Sequence, residues 1–196
     1  MRKLLLATNN QGKMREYQAL LKGIPYRMVM LSDCSITTQV DESGSTYKEN
    51  AAIKATAFAR ESGLLTLADD SGLEVDALGG EPGIRSARYA GNGANDTVRN
   101  SFLLYKLEGV PEKKRTARFV CVIAIATPEG GVQFCEGERR GLITTSPRGA
   151  HGHGYDPIFF LPDLDKTMAE LTLEEKNQVS HRARAVLAAR ALLINQ

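Results

Sequence analysis

The chain has 196 residues, 42% of them hydrophobic and 24% charged, which suits one globular domain with a substantial core. A net charge of +2 gives no sign of a nucleic-acid binder, and the three cysteines, Cys34, Cys121 and Cys135, lack metal-type spacing and cannot all pair. They read as small buried hydrophobes of a reducing compartment. Leu4 to Ala7 is too short for a signal core or a membrane span, so the expected setting is cytoplasmic, with neither nucleic acid nor membrane as partner.

Lys3 to Ala7 reads as a buried strand, followed by Thr8-Asn9-Asn10-Gln11-Gly12-Lys13 and a helix whose Met14, Tyr17, Leu20 and Leu21 share one face. The loop thus delivers polar groups to a helix N-terminus, where backbone N–H groups and the dipole favour an anion and Lys13 adds a charge. It is not a Walker A loop, and a plain strand-to-helix turn is the other reading. Tyr26 to Leu31 is a second strand, and the polar segment after it carries Asp41 and Glu42. Thr46 to Glu49 has capping-box spacing and opens an alanine-rich helix that stops near Gly63. On it Glu49 is accounted for as the cap partner, whereas Asn50 and Lys54, four apart, can share a ligand or, for Lys54, face solvent.

Leu65 to Ala68 is an apolar run that ends at Asp69-Asp70-Ser71-Gly72. The glycine predicts a turn, which puts both aspartates at a strand tip, facing opposite sides. Two carboxylates there call for compensation, which a divalent cation supplies; a turn capped by aspartate is the alternative. A glycine-rich loop and Arg85 to Gly91 follow, then a helix capped by Asp96 or Thr97 and running to about Leu107. Arg115 to Thr127 and Val132 to Glu138 form a hairpin, which makes the sheet mixed.

Gly149 to Pro157 is a glycine-punctuated loop, Thr172 to Glu175 caps a helix carrying Lys176, and Ser180-His181-Arg182 precedes a final helix. Leu187, Ala191 and Ile194 are its expected packing positions. His151 and His153 lack a third ligand for zinc. The expected architecture is α/β, an elongated twisted mixed sheet with flanking helices.

Together Thr8 to Lys13, Glu49 to Ala55, Ala68 to Leu73, Pro82 to Gly91, Gly154 to Phe159 and Ser180 to Arg182 resemble the inosine/xanthosine triphosphate pyrophosphatases, in that family's order and over nearly the whole chain. The resemblance implies hydrolysis of ITP, dITP and XTP to the monophosphate and pyrophosphate with Mg²⁺. It also implies a single domain over residues 1–196, of two lobes about a central cleft, in a homodimer. Carried over by motif, Thr8, Asn9, Asn10, Gln11, Gly12, Lys13 and Lys54 are the triphosphate cradle. Asp70 is the catalytic carboxylate and a metal ligand, with Asp69 beside it and Asp41 or Glu42 as the second acid. Ser71, His153, Gly154, Tyr155, Asp156, Lys176, His181 and Arg182 are the substrate and base contacts.

The chain departs from the family at His153, where a phenylalanine is common, and at Asp41-Glu42-Ser43-Gly44, where Glu-Glu-Thr-Gly is common. The residues agree with the resemblance: phosphates need cations and N–H donors, magnesium needs carboxylates, and attacking water needs a base. His181 and Arg182 can donate to a 6-oxo group, which a 6-amino group could not accept. A pyrophosphatase for other modified nucleotides uses the same parts. A purine-nucleotide or RNA binding module explains the cations but leaves Asp69 and Asp70 without a purpose, since carboxylates repel phosphate.

Overall fold

The computed structural model describes residues 1–195. Seven strands form one sheet in the order β2-β1-β3-β4-β5-β6-β7. They are β1 (Arg2–Leu6), β2 (Tyr26–Met30), β3 (Leu65–Val75), β4 (Thr116–Ala126), β5 (Val132–Ile143), β6 (Phe159–Leu161) and β7 (Lys166–Thr167). β1 pairs in parallel with β2 and β3, whereas β6 pairs antiparallel with β5 and β7, so the sheet is mixed as the sequence predicts. The helices are α1 (Gln11–Leu20), α2 (Tyr47–Ser62), α3 (Asp96–Lys106), α4 (Leu173–Val179) and α5 (His181–Ile194).

The chain divides into two compact units. The first holds residues 1–70, 121–137 and 182–195; the second holds 71–120 and 138–181. Each has its own apolar core. In the first, Leu4 and Leu6 of β1 pack with Leu67, Ile123 and Ile125, and with Tyr17, Val186, Ala189 and Leu193 from the helices. Leu4, Leu5 and Leu6 are all fully buried, which is why β1 reads as an unbroken apolar run rather than an alternation. In the second, Leu73, Val75, Phe119, Phe159, Leu103 and Leu107 form the centre.

Several local expectations change. β3 does not stop at the aspartates: it continues through Asp69, Asp70, Ser71 and Gly72 to Val75, so the two acids sit mid-strand. Gly72 lies within β3, whose neighbours in the sheet are β1 and β4. The Asn95 side chain, one residue earlier than expected, caps α3 by accepting from the Val98 N–H. Thr46 caps α2 by accepting from the Glu49 N–H at 3.1 Å. The Glu49 carboxylate reaches back to Ser45, accepting from its N–H and hydroxyl at 2.7 Å each. Thr172 and Glu175 do form a full capping box on α4.

The phase of α5 also differs. Leu187 and Ile194 are 72% and 55% exposed, while Ala185, Val186, Ala189 and Leu193 are fully buried. Alanine-rich helices carry a weak apolar stripe, and the helix here turns its small residues inward for close approach to the sheet. Leu193→Ala should therefore cost about 2–5 kcal/mol and Leu187→Ala within about 0.5 kcal/mol. Urea denaturation of both variants checks this, and a larger loss at Leu187 would reverse the assigned phase.

Candidate active site

β1 delivers Ala7 and Thr8 into a short loop that is closed by its own side chains. The Thr8 hydroxyl accepts from the Asn10 N–H at 3.2 Å, and the Asn10 side-chain Oδ1 accepts from the Lys13 N–H at 3.0 Å, which makes Asn10 the N-cap of α1. Asn9, Asn10 and Gln11 are exposed, Thr8 and Lys13 half-buried, and Gly12 buried. The first-turn N–H groups at Gln11 and Gly12 precede any helical acceptor, so this end of α1 suits an anion.

Lys13 turns from this loop to β3. Its ammonium lies 2.8 Å from Asp69 Oδ2, and the Arg182 guanidinium approaches the same oxygen at 3.4 Å. Arg182 also pairs with Glu16 of α1. Asp69, Glu16 and Arg182 are all essentially buried. Burial alone would push the Asp69 carboxyl up, but Lys13, Arg182 and Lys54 more than offset it and hold Asp69 well below the usual carboxylate range. Cys121 lies beside it, and burial followed by the Asp69 charge pushes its thiol up to about 12, so it is an inert neighbour.

Asp70 points to different partners. Asn50 of α2 donates to its Oδ2 at 3.1 Å, and the Lys54 ammonium, one turn along, lies 3.9 Å from Oδ1 and 3.1 Å from Glu42 Oε2. Asn50 and Lys54 thus converge on one acid, and Glu42 rather than the exposed Asp41 joins them. The Asn50 amide holds the Glu42 segment as well, because its Oδ1 accepts from the Gly44 N–H at 2.8 Å. A Cβ at Gly44 would stand 2.7 Å from that oxygen, so the approach requires glycine. Burial raises the Asp70 carboxyl; Lys54 and the Asn50 hydrogen bond offset this in part, and Glu42 adds to it. The two adjacent acids are therefore pushed in opposite directions: Asp69 is firmly ionised, while Asp70 is a stronger base than an ordinary aspartate.

The donor set around Asp70 suits a hard cation. Asp70 and Glu42 offer carboxylate oxygens on either side of one ammonium, and magnesium commonly takes one or two carboxylates with phosphate oxygens and waters. Among the described residues no group of three or more His, Cys, Asp or Glu could hold a metal, so an ion here would draw its remaining ligands from substrate and water. Asp69 lies instead against Lys13 and Arg182.

The second unit gathers the late-sequence residues. Lys176 lies 2.5 Å from Asp156 Oδ2, which also accepts from the His153 N–H at 2.8 Å; both members of the ion pair are buried. The Tyr155 hydroxyl donates to the Ser86 carbonyl at 2.8 Å, and the Ser86 hydroxyl in turn accepts from the Leu73 N–H. The His181 ring stacks on Phe119 with centroids 4.6 Å apart. His153 is half-buried, as is Ser71, which follows Asp70 on β3. Tyr155 and Asp156 thus shape the loop from within, and Arg182, expected to meet a base, gives its guanidinium to Glu16 and Asp69. Sequence reasoning missed Glu16. The available signal was a carboxylate three residues from Lys13 and directly before Tyr17, on the apolar face of α1.

These features define an α/β protein with a helix N-terminus suited to an anion, two lysines and a basic-tuned aspartate in one compact unit. A model of the Ham1 family matches residues 4–192, and the chain belongs to that family. The dITP/XTP pyrophosphatase of Desulforamulus reducens is 50% identical over 97% of this chain and 95% of its own. The structure of a HAM1 protein from Coxiella burnetii superimposes with a TM-score of 0.91 at 40% identity, over 100% of both chains. That of the Staphylococcus aureus Ham1 protein does so with a TM-score of 0.88 at 42% identity, over 99% of each.

The opposite tuning of the two acids has a consequence for stability. Asp69, depressed in the fold, stabilises above its unfolded pKa of about 3.9, and this is lost as pH falls. Asp70, raised in the fold, destabilises once it ionises, that is, as pH rises above the same value. Metal-free Asp70→Asn should therefore melt higher than the parent at pH 7, and the difference should shrink towards zero below about pH 4. Thermal melts across pH check it; a variant less stable than the parent at pH 7 would contradict the raised Asp70 carboxyl.

Proposed function

We propose that this chain hydrolyses deaminated purine nucleoside triphosphates, ITP, dITP and XTP, to the nucleoside monophosphate and pyrophosphate. The observation that carries the reading is the Asp70 cluster, a raised carboxyl flanked by Lys54 and Glu42, in a chain half identical to a dITP/XTP pyrophosphatase. The α1 N-terminus with Thr8 to Lys13, and Lys54, receive the phosphates. Asp70 and Glu42 would hold Mg²⁺, which when bound neutralises phosphate oxygens. Asp70 takes the proton of the attacking water, whose oxygen bonds to the α-phosphorus as the α–β bridging bond breaks and pyrophosphate leaves. Lys13 and Lys54 meet the charge that develops on the leaving group.

Recognition of the base falls to the 153–156 loop and His181. A 6-oxo group accepts where a 6-amino group donates, so a donor placed there rejects adenine. His153 offers an imidazole face for the purine, a smaller platform than phenylalanine. The setting this reading implies is a cytoplasmic homodimer that acts on the free nucleotide pool.

Asp70→Asn keeps the side-chain shape but removes the base. Turnover of ITP with Mg²⁺ should fall by at least about a hundredfold. Near-normal steady-state rates would take Asp70 out of the mechanism. The second test concerns which bond breaks: ITP should give IMP and pyrophosphate in a single step. Chromatography of the earliest products decides it, since IDP and orthophosphate would mark a stepwise phosphatase.

A further inference from the structure

Helix α3 grips one residue of the 153–156 loop from both sides. Asp96, in its first turn, accepts from the Gly154 N–H at 2.7 Å, and Asn100, one turn later on the same face, donates to the Gly154 carbonyl at 3.1 Å. The N–H belongs to the peptide before Gly154 and the carbonyl to the peptide after it. Holding both fixes the two dihedrals between them. Gly154 sits at φ +65°, a left-handed conformation that other residues adopt at a cost, so the position is both permissive in type and clamped in place.

The clamp is itself braced. Asp96 pairs with Arg99, whose guanidinium donates to the Ala87 and Ala94 carbonyls. The neighbouring residues are held too, His153 by its N–H on Asp156 and Tyr155 by its hydroxyl on Ser86. Asn100 is 4% exposed, and its Oδ1 has no hydrogen-bond partner among the described residues. An amide buried with one acceptor unpaired is a poor choice for folding alone, because an apolar side chain of the same branching avoids that penalty. What the amide supplies, and leucine cannot, is the hydrogen bond to Gly154.

We propose that Asn100, together with Asp96, is a positioning residue for base recognition: the pair pins Gly154 and so presents the His153 ring to the purine. The proposal rests on the purine-triphosphate reading above. Neither residue touches substrate; both act through the loop.

Asn100→Leu removes the donor and the unpaired acceptor together, so the fold should hold while the clamp opens. KM for ITP should rise about tenfold, the value of one lost hydrogen bond, with kcat within about twofold. Inhibition by inorganic tripolyphosphate, which has no base, should stay within about twofold of the parent. Amide exchange of Gly154, read by NMR, should accelerate in Asn100→Leu and in Asp96→Ala, whereas Asp96→Asn, which keeps an acceptor, should stay near the parent. Should Asn100→Leu fail to fold, Asp96→Ala carries the same kinetic test from the more exposed side of the clamp.

Parallel weakening of ITP and tripolyphosphate would overturn the proposal by showing a general structural effect. Faster Gly154 exchange with an unchanged KM would overturn it equally, since the loop would then be pinned to no purpose. A parent protein that does not turn over ITP would refute the functional reading and the base-positioning role with it, while the exchange result would still report on the clamp by itself.

Discussion

The first unit depends on how a buried carboxylate on its central strand is kept charged. Asp69 is enclosed by apolar strands and helices, where an isolated charge would be driven to neutralise. Lys13 and Arg182 prevent this by meeting the same oxygen. Because Lys13 leaves the first turn of α1 and Arg182 the first turn of α5, the carboxylate ties two helices to the strand between them in sequence. Glu16 takes the other side of Arg182, so α1 and α5 are joined a second time. Removing one member of a buried pair of this kind typically costs about 3–5 kcal/mol, since the survivor is left uncompensated. The Thr8–Lys13 loop is therefore set in place by an ion-pair network rather than by loop rigidity.

One residue on, the same strand makes an opposite arrangement. Asp70 has Asn50 and Lys54, but Lys54 is drawn more closely to Glu42, and burial outweighs what remains. An aspartate left in this state is costly to the fold and suited to accept a proton or a cation, which is the trade usual at functional sites. The alternation of a β-strand makes it possible for neighbours in sequence to have such different surroundings.

The second unit builds its loop by a different device. Here charges are paired off internally, Asp156 with Lys176 and Asp96 with Arg99, and the carboxylates that result are used to hold backbone N–H groups of His153 and Gly154. A glycine-rich segment gains a defined shape without an apolar core of its own. A Cβ at Gly152 would run into the Asp156 carboxylate, so the tight wrap around that acid requires glycine.

What the sequence by itself determined is the inventory: strands and helices from apolar periodicity and caps, a mixed sheet from the hairpin, and clusters of acids, lysines and glycines whose types suit a metal-assisted attack on phosphate. These are legible because they depend on residues a few positions apart. Only the tertiary structure decided which charge meets which. Lys13 and Arg182 lie 56 and 113 residues from Asp69, and nothing local to any of them names the partner. The same holds for the choice of Glu42 over Asp41, for the recruitment of Glu16, and for the run of β3 through Gly72, which neighbouring strands sustain against the local preference to turn. The face that α5 buries was settled in this way too, because a helix of small residues presents several faces of similar apolar character and the sheet selects the one that approaches most closely.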